Sequence, residues 1–247
     1  MNAILDQVAI THKLLLVSDF DGTLAEFSTD PDNVPICASS IKELQALVNF
    51  PNTEVAILSG RSLASLRRVS GLNKPFILAG SHGAESTLAT YELSPAQTRA
   101  LELATAEFEH ITAAVPGAWV EHKPFHRVLH TIAIEDPDLA AATYRRAQEV
   151  AIPGVSIKAG KSIVEAGVLN STKGTWITQA QHALNPTATI FIGDDTTDEE
   201  GFAVLGPADL SIKVGAGDTV ARVRVDDVRA VSEVLAQIVE KRRAMQA

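Results

Sequence analysis

The chain has 247 residues, 46% of them hydrophobic and 21% charged, with a mean hydropathy of +0.11, which is the composition of a folded globular protein and excludes a disordered one. Its formal net charge is −9, and residues 1–86, 87–168 and 169–247 each carry −3, so no basic face is set apart for nucleic acid or an anionic membrane surface. A single cysteine, Cys37, excludes an intrachain disulfide framework and fits a reducing compartment.

In chain order, the first apolar run is Leu14-Leu15-Leu16-Val17, between Lys13 and Ser18-Asp19. It is too short for a signal peptide or a membrane span, and a cytoplasmic protein is expected. Near-continuous apolar runs over 14–20, 55–59, 76–79, 189–192 and 210–214 suit strands buried on both faces, as in a parallel sheet. Helical patterns over 35–50, 62–69, 175–184 and 228–245 alternate with them, so both ends of the chain predict a doubly wound, mostly parallel, Rossmann-like α/β core.

The middle breaks that rhythm. Ser94-Pro95 predicts a helix start, the Ser as N-cap and the Pro in the first turn, followed by an apolar stripe of Leu101, Ala104, Phe108, Ile111 and Val115 that stops at Pro116-Gly117. A hairpin over 118–123 and 126–134, a helix over 139–150 and a second hairpin over 155–158 and 162–165 follow. Helix–strand–strand, repeated, is not βαβ. It predicts an inserted α+β cap over 87–168, with 1–86 and 169–247 forming the core.

Asp19-Phe20-Asp21-Gly22-Thr23 ends the first strand, and Gly193-Asp194-Asp195-Thr196-Thr197-Asp198-Glu199 ends a later one. Each run alone reads as a solvated acidic turn. Together, at the carboxyl ends of strands in an open α/β sheet, they read as a site, because crowded carboxylates require a cation and hard oxygen ligands suit Mg²⁺. Ser59-Gly60-Arg61 adds a hydroxyl and backbone N–H groups at a helix start, and Lys173-Gly174 opens another helix. A divalent cation, a serine, a lysine and paired aspartates describe phosphoryl transfer to a carboxylate nucleophile.

At these residues the sequence resembles the haloacid dehalogenase superfamily of phosphatases. Gly80-Ser81-His82-Gly83-Ala84-Glu85, Glu121-x-Lys123, Gly160-Lys161-x-x-Val164-Glu165 and Thr197-Asp198-Glu199 narrow the resemblance to its trehalose-6-phosphate phosphatases, over about residues 14–240. The resemblance implies that Asp19 attacks phosphorus and that Asp21 serves as acid and then base, raised in pKa by carboxylate neighbours. It implies Mg²⁺ held by Asp19, the Asp21 carbonyl and Asp194, with Asp195 and Asp198 acting through water. Ser59 and Lys173, with the Gly60 and Arg61 N–H groups, would hold the phosphoryl group. Glu121, Lys123, Lys161 and Glu165 on the cap would bind sugar hydroxyls, with cap closure excluding bulk water. The expected partner is a small sugar phosphate and the expected oligomeric state a monomer.

Two stretches depart from the family. His130-Thr131-Ile132 stands where His-Tyr-Arg is usual, removing a cap arginine, and Ala166-Gly167-Val168 replaces a polar-apolar-Pro stretch. Sibling phosphatases acting on sucrose phosphate or mannosylglycerate phosphate, and a non-catalytic sugar-phosphate sensor, are the alternatives. His122, His126 and His130 fall in a hairpin rather than a helix, so their spacing is not read as a zinc site. His82 and Glu85 admit either substrate contact or loop bracing. Cys37 reads as an inert packed thiol, and Lys241-Arg242-Arg243 as cations favoured by a helix C-terminus.

Overall fold

The computed structural model describes residues 2–89, 92–169 and 171–246. The order of its elements is α1 (Asn2–Ala9), β1 (Leu14–Ser18), α2 (Ala38–Leu47), β2 (Thr53–Leu58), α3 (Leu63–Ser70), β3 (Ile77–Gly80), β4 (Glu85–Ser86), α4 (Pro95–Thr112), β5 (Trp119–His122), β6 (His126–His130), α5 (Pro137–Gln148), β7 (Ser156–Gly160), β8 (Ile163–Gly167), α6 (Lys173–Leu184), β9 (Ala188–Gly193), α7 (Thr196–Ala203), β10 (Leu210–Val214), β11 (Val223–Val225) and α8 (Val228–Ala244). Two compact units result, Met1–Thr90 with Ser171–Ala247, and Tyr91–Asn170.

The first unit is a seven-stranded sheet in the order β11-β10-β9-β1-β2-β3-β4, parallel throughout except for β4. Its strands are apolar without alternation because both faces are covered. Leu14 and Leu16 join Leu44, Leu47, Leu235 and Ile238 of α2 and α8 on one side, while Leu15 and Val17 join Trp176, Ile177 and Phe202 of α6 and α7 on the other. The central position of β1, between β9 and β2, brings the two acidic runs to adjacent strand ends. The chain stays with this unit through residue 87, where Thr87 N donates to Leu78 O (2.9 Å) and Thr87 Oγ1 accepts from Leu78 N (2.9 Å).

The second unit is a four-stranded antiparallel sheet, β5-β6-β8-β7, with α4 and α5 against one face. Helix α4 begins as its sequence predicts: Ser94 Oγ accepts from Gln97 N (3.3 Å) and Gln97 Oε1 accepts from Ser94 N (3.0 Å), the reciprocal capping box. Among the described residues no helix is long and apolar enough to cross a membrane.

Lys241, Arg242 and Arg243 stand in the last turn of α8, as expected. Arg242 is also buried there, donating to the carbonyls of Ala9, Thr11, Pro51 and Asn52 and to Thr53 Oγ1, so it ties α8 to the loops before β1 and β2. One expectation changes. Cys37 is not fully packed. It is half-buried at the N-cap of α2, with Sγ 3.2 Å from Ser39 Oγ; burial pushes the thiol up, but hydrogen bonding with Ser39 and Ser40 outweighs it and lowers the pKa.

Candidate active site

The site starts from a turn. Asp19 N still donates to Ile192 O (2.9 Å), extending the sheet by one residue beyond β1. Leu24 N and Ala25 N then both donate to Phe20 O (2.8 and 2.9 Å), and Gly22 N to Ala25 O (2.7 Å), so the chain folds back at once. Gly22 has φ +77°, and a Cβ there would lie 2.2 Å from Asp194 Oδ2. Only glycine meets both conditions, and its bare backbone lets the two acidic runs touch.

Three carboxylates converge: oxygens of Asp19, Asp194 and Asp198 lie within 4.8 Å of one another. Lys173, the first residue of α6 and 2% exposed, reaches in among them. Its Nζ is 3.0 Å from Asp19 Oδ1 and 2.7 Å from Asp198 Oδ1. Asp198, at the third position of α7, spends its other oxygen on Asp194 N (3.0 Å) and Asp195 N (2.9 Å). It is therefore a buried brace that orients Lys173 and the acidic loop, while Asp19 and Asp194 keep oxygens for a ligand. A Cβ on Gly193 would fall 2.3 Å from the Asp198 carboxyl carbon, so this brace also needs a glycine beside it.

The electrostatics leave the group short of positive charge. Burial pushes the Asp19 carboxyl well above its usual range; Lys173 pulls it back, and Asp198 and Asp194 push it up again. Burial and then Asp198 push Asp194 up to about 6, against a hydrogen bond with Asp19 and the charge of Lys173. Burial alone would lower the Lys173 pKa, but Asp19 and Asp198 outweigh it and raise it. Lys173 pairs with two of the three carboxylates, and the oxygen donors left on Asp19 and Asp194 fit a hard divalent cation.

The remaining predicted residues divide. Ser59, buried at the end of β2, accepts from Arg61 N through Oγ (3.1 Å). Arg61 differs from expectation. Its guanidinium clamps Asp21, Nε to Oδ2 at 2.6 Å and Nη2 to Oδ1 at 2.7 Å, and also donates to Pro31 O. The nearest charge to Asp21 is thus a cation, not the carboxylates expected to crowd it. Asp195 is exposed and caps α7, with Oδ1 accepting from Thr196 N (2.6 Å), and it lies outside the three-carboxylate group. Glu85 braces the loop after β3 by accepting from Ser81 Oγ (2.7 Å).

Sequence reasoning missed Lys213. This buried lysine on β10 donates to the main-chain carbonyl of Asp194 and so helps fix a ligand-bearing loop. Its signal was present: one lysine inside the apolar run Leu210–Val214. Thr23 likewise holds the acidic loop, donating from Oγ1 to Asp194 Oδ1 (3.3 Å).

In the second unit, Val120, Leu129, Val164 and Ala166 turn toward Phe108, Ile111 and Ala147 of the helices. The strand register places Trp119, Glu121, Val128, His130, Ile163 and Glu165 on the opposite face. There Glu121 Oε2 is hydrogen-bonded to His130 Nε2 (3.1 Å), a contact that draws the Glu121 pKa down. Lys123 Nζ and His126 Nε2 each lie 3.9 Å from a Glu165 oxygen. Lys161 is exposed in the β7–β8 turn. His122 instead pairs with Glu109 of α4 (3.2 Å) on the helix side, so the three spaced histidines do not converge.

A mostly parallel α/β sheet with carboxylates at adjacent strand ends, accompanied by a separate antiparallel unit, defines a haloacid-dehalogenase-like protein. The model of the trehalose-phosphatase family matches residues 17–232, and the chain belongs to that family. It is 32% identical to the trehalose-6-phosphate phosphatase of Escherichia coli (strain K12), over 91% of this chain and 87% of that protein. It is 35% identical to the trehalose-phosphate phosphatase of Mycobacterium marinum over 79% of this chain, and spans 52% of that longer relative. The fold matches the C-terminal domain of Candida albicans trehalose-6-phosphate phosphatase with a TM-score of 0.72, 22% identity and 97% of each chain covered.

Proposed function

We propose that this protein hydrolyses trehalose 6-phosphate to trehalose and inorganic phosphate, the last step of trehalose synthesis, with Asp19 as nucleophile and Mg²⁺ as cofactor. The observation that carries the reading is the Lys173 bridge: its ammonium pins one oxygen of Asp19 at 3.0 Å and anchors itself on Asp198 at 2.7 Å. That leaves the other Asp19 oxygen to attack phosphorus in a fixed orientation.

In the first step an Asp19 oxygen bonds to phosphorus as the bond to the sugar oxygen breaks. Asp21 gives its proton to that leaving oxygen. In the second step Asp21 takes a proton from the water that attacks the aspartyl-phosphate, releasing phosphate and restoring Asp19. Arg61 engages both Asp21 oxygens, and an acid must turn one O–H toward the leaving oxygen, so acid duty requires the clamp to loosen at that oxygen. Ser59 Oγ and the Gly60 and Arg61 N–H groups hold the phosphoryl oxygens. Asp19, the Asp21 carbonyl and Asp194 would hold Mg²⁺, with Asp198 bracing Lys173 and the acidic loop around it, and the ion would supply positive charge to the developing phosphoryl oxygens. In the second unit, read as a specificity cap, Glu121, Lys123, Lys161 and Glu165 bind sugar hydroxyls. A cytoplasmic location, expected from the single cysteine, completes the reading.

Phosphate release over a panel of sugar phosphates tests it. Trehalose 6-phosphate should lead sucrose 6-phosphate and mannosylglycerate phosphate by at least tenfold in kcat/KM, about 1.4 kcal/mol of discrimination, and chelation of Mg²⁺ should abolish turnover reversibly. A tenfold preference for another sugar phosphate would transfer the assignment to a sibling activity, and no release from any would favour a sensor.

Protons compete with the ion. Asp194 holds a proton below about 6 and must lose it to bind a cation, so Mg²⁺ affinity should fall as pH falls, about tenfold per unit below that value. In the metal-free protein the sign for stability is opposite. The raised Asp194 pKa makes this group's contribution most favourable below its unfolded value, and that contribution is lost as pH rises through about 6. Calorimetric Mg²⁺ titrations on both sides of that pH check the first statement; an affinity independent of pH would contradict it.

A further inference from the structure

The two tryptophans have opposite settings. Trp176 is buried in the first unit and donates Nε1–H to Ser86 Oγ (3.1 Å). Trp119 is 42% exposed on the helix-free face of the β5-β6-β8-β7 sheet. The ring shares that face with Glu121, His130 and Glu165 as well as Val128 and Ile163, so it stands among charged and polar side chains.

The ring is also held still. Trp119 is the cross-strand partner of His130, and the two rings stack with centroids 4.4 Å apart and planes 4° apart. His130 is in turn fixed by its hydrogen bond to Glu121 (3.1 Å), one step along the same face. The result is a chain of three side chains, Trp119–His130–Glu121, in which an aromatic plane adjoins a hydrogen-bonded carboxylate. The face is charged rather than the wholly apolar surface of a protein-docking groove: Glu121 and Glu165, the latter beside Lys123, lie on it with the aromatic pair. Its chemistry matches one ligand class. A pyranose ring presents a face of C–H groups, which rests on an aromatic plane, and a rim of hydroxyls, which carboxylates and ammonium groups bind.

We propose that Trp119, oriented by His130, is a stacking platform for a pyranose ring of the substrate, with Glu121 taking hydroxyls at the ring's edge. This inference rests on the sugar-phosphatase reading and goes beyond it. It assigns part of the sugar recognition to apolar stacking in a chain where Ile132, 72% exposed, stands at the place of the family's cap arginine.

The test compares Trp119→Ala and Trp119→Phe with the wild type on trehalose 6-phosphate and on p-nitrophenyl phosphate, which has no sugar. With Trp119→Ala, KM for trehalose 6-phosphate should rise about tenfold with kcat nearly constant, so the efficiency ratio of sugar to aryl substrate falls about tenfold; Trp119→Phe should restore most of it. Adding trehalose should change the wild-type tryptophan emission and leave that of Trp119→Phe, where Trp176 alone emits, unchanged. An unaltered ratio in Trp119→Ala, or emission changes that persist in Trp119→Phe, would overturn the platform. If the wild type ignores trehalose 6-phosphate, the substrate assignment fails instead. The emission experiment, repeated with trehalose, sucrose and maltose, then decides the platform alone: a Trp119-dependent change supports it and none overturns it.

Discussion

Asp19→Asn should lower turnover of trehalose 6-phosphate by on the order of 10⁴-fold or more, the loss that removing a nucleophile causes in covalent catalysis, without lowering the melting temperature of the metal-free protein. The two halves of this expectation have separate causes. Loss of activity follows because the amide cannot attack phosphorus, while Ser59 and Lys173 remain to bind the phosphoryl group. Retained stability follows from the raised pKa of Asp19: burial and two neighbouring carboxylates already oppose its charge, so a neutral isostere relieves repulsion. Lys173 keeps its shorter contact, to Asp198 at 2.7 Å. Thermal melts and steady-state kinetics on the same preparation check both. Activity within tenfold of the wild type would remove Asp19 from the nucleophile's role.

Lys173→Met should be the opposite kind of variant, inactive and unstable together. The lysine is 2% exposed and is the cation for Asp19 and Asp198, themselves buried. Its removal strands two carboxylates in a low-dielectric interior, a change that costs about 3–5 kcal/mol and, at this chain length, roughly 10 °C in Tm. Because the penalty lies in the uncompensated charges rather than in the lost alkyl chain, adding Asp19→Asn to Lys173→Met should return part of the stability and none of the activity. Urea denaturation of the wild type, both single variants and the double variant gives the coupling directly. A Lys173→Met protein as stable as the wild type would mean that Lys173 does not compensate these charges.

How far the sequence carries depends on what each residue's neighbours had to be. The central strands were legible because a sheet covered on both faces writes near-continuous apolar runs, and Leu14–Ser18, Thr53–Leu58 and Ala188–Gly193 lie within or beside those runs. Helix α4 was legible from Ser94 and Pro95, whose capping chemistry is local. The short strands β4 and β11 were not, since two or three residues paired at a sheet edge leave no periodicity. Helix α1 carried no start signal strong enough to read.

Within the site, types and order were legible but individual duties were not. Asp195 and Asp198 are chemically identical and three residues apart, yet only the second turns inward, because the first takes the N-cap of α7 and the second its third position. Arg61 sits in a motif that suggests phosphate binding, but its bidentate grip on Asp21 depends on how the ends of β1 and β2 align. Arg242 lies in a basic run whose members point in different directions around a helix, and only that geometry decides which one is buried.

The central claim is that Asp19 carries the phosphoryl group between substrate and water. Rapid acid quenching of the enzyme during turnover of trehalose 6-phosphate with Mg²⁺, followed by peptide mass analysis, tests it most directly. A phosphorylated peptide should be found with the added group on Asp19, and it should be absent from Asp19→Asn. Phosphate release with no phosphorylated peptide at any quench time, or with the group on another side chain, would contradict the account.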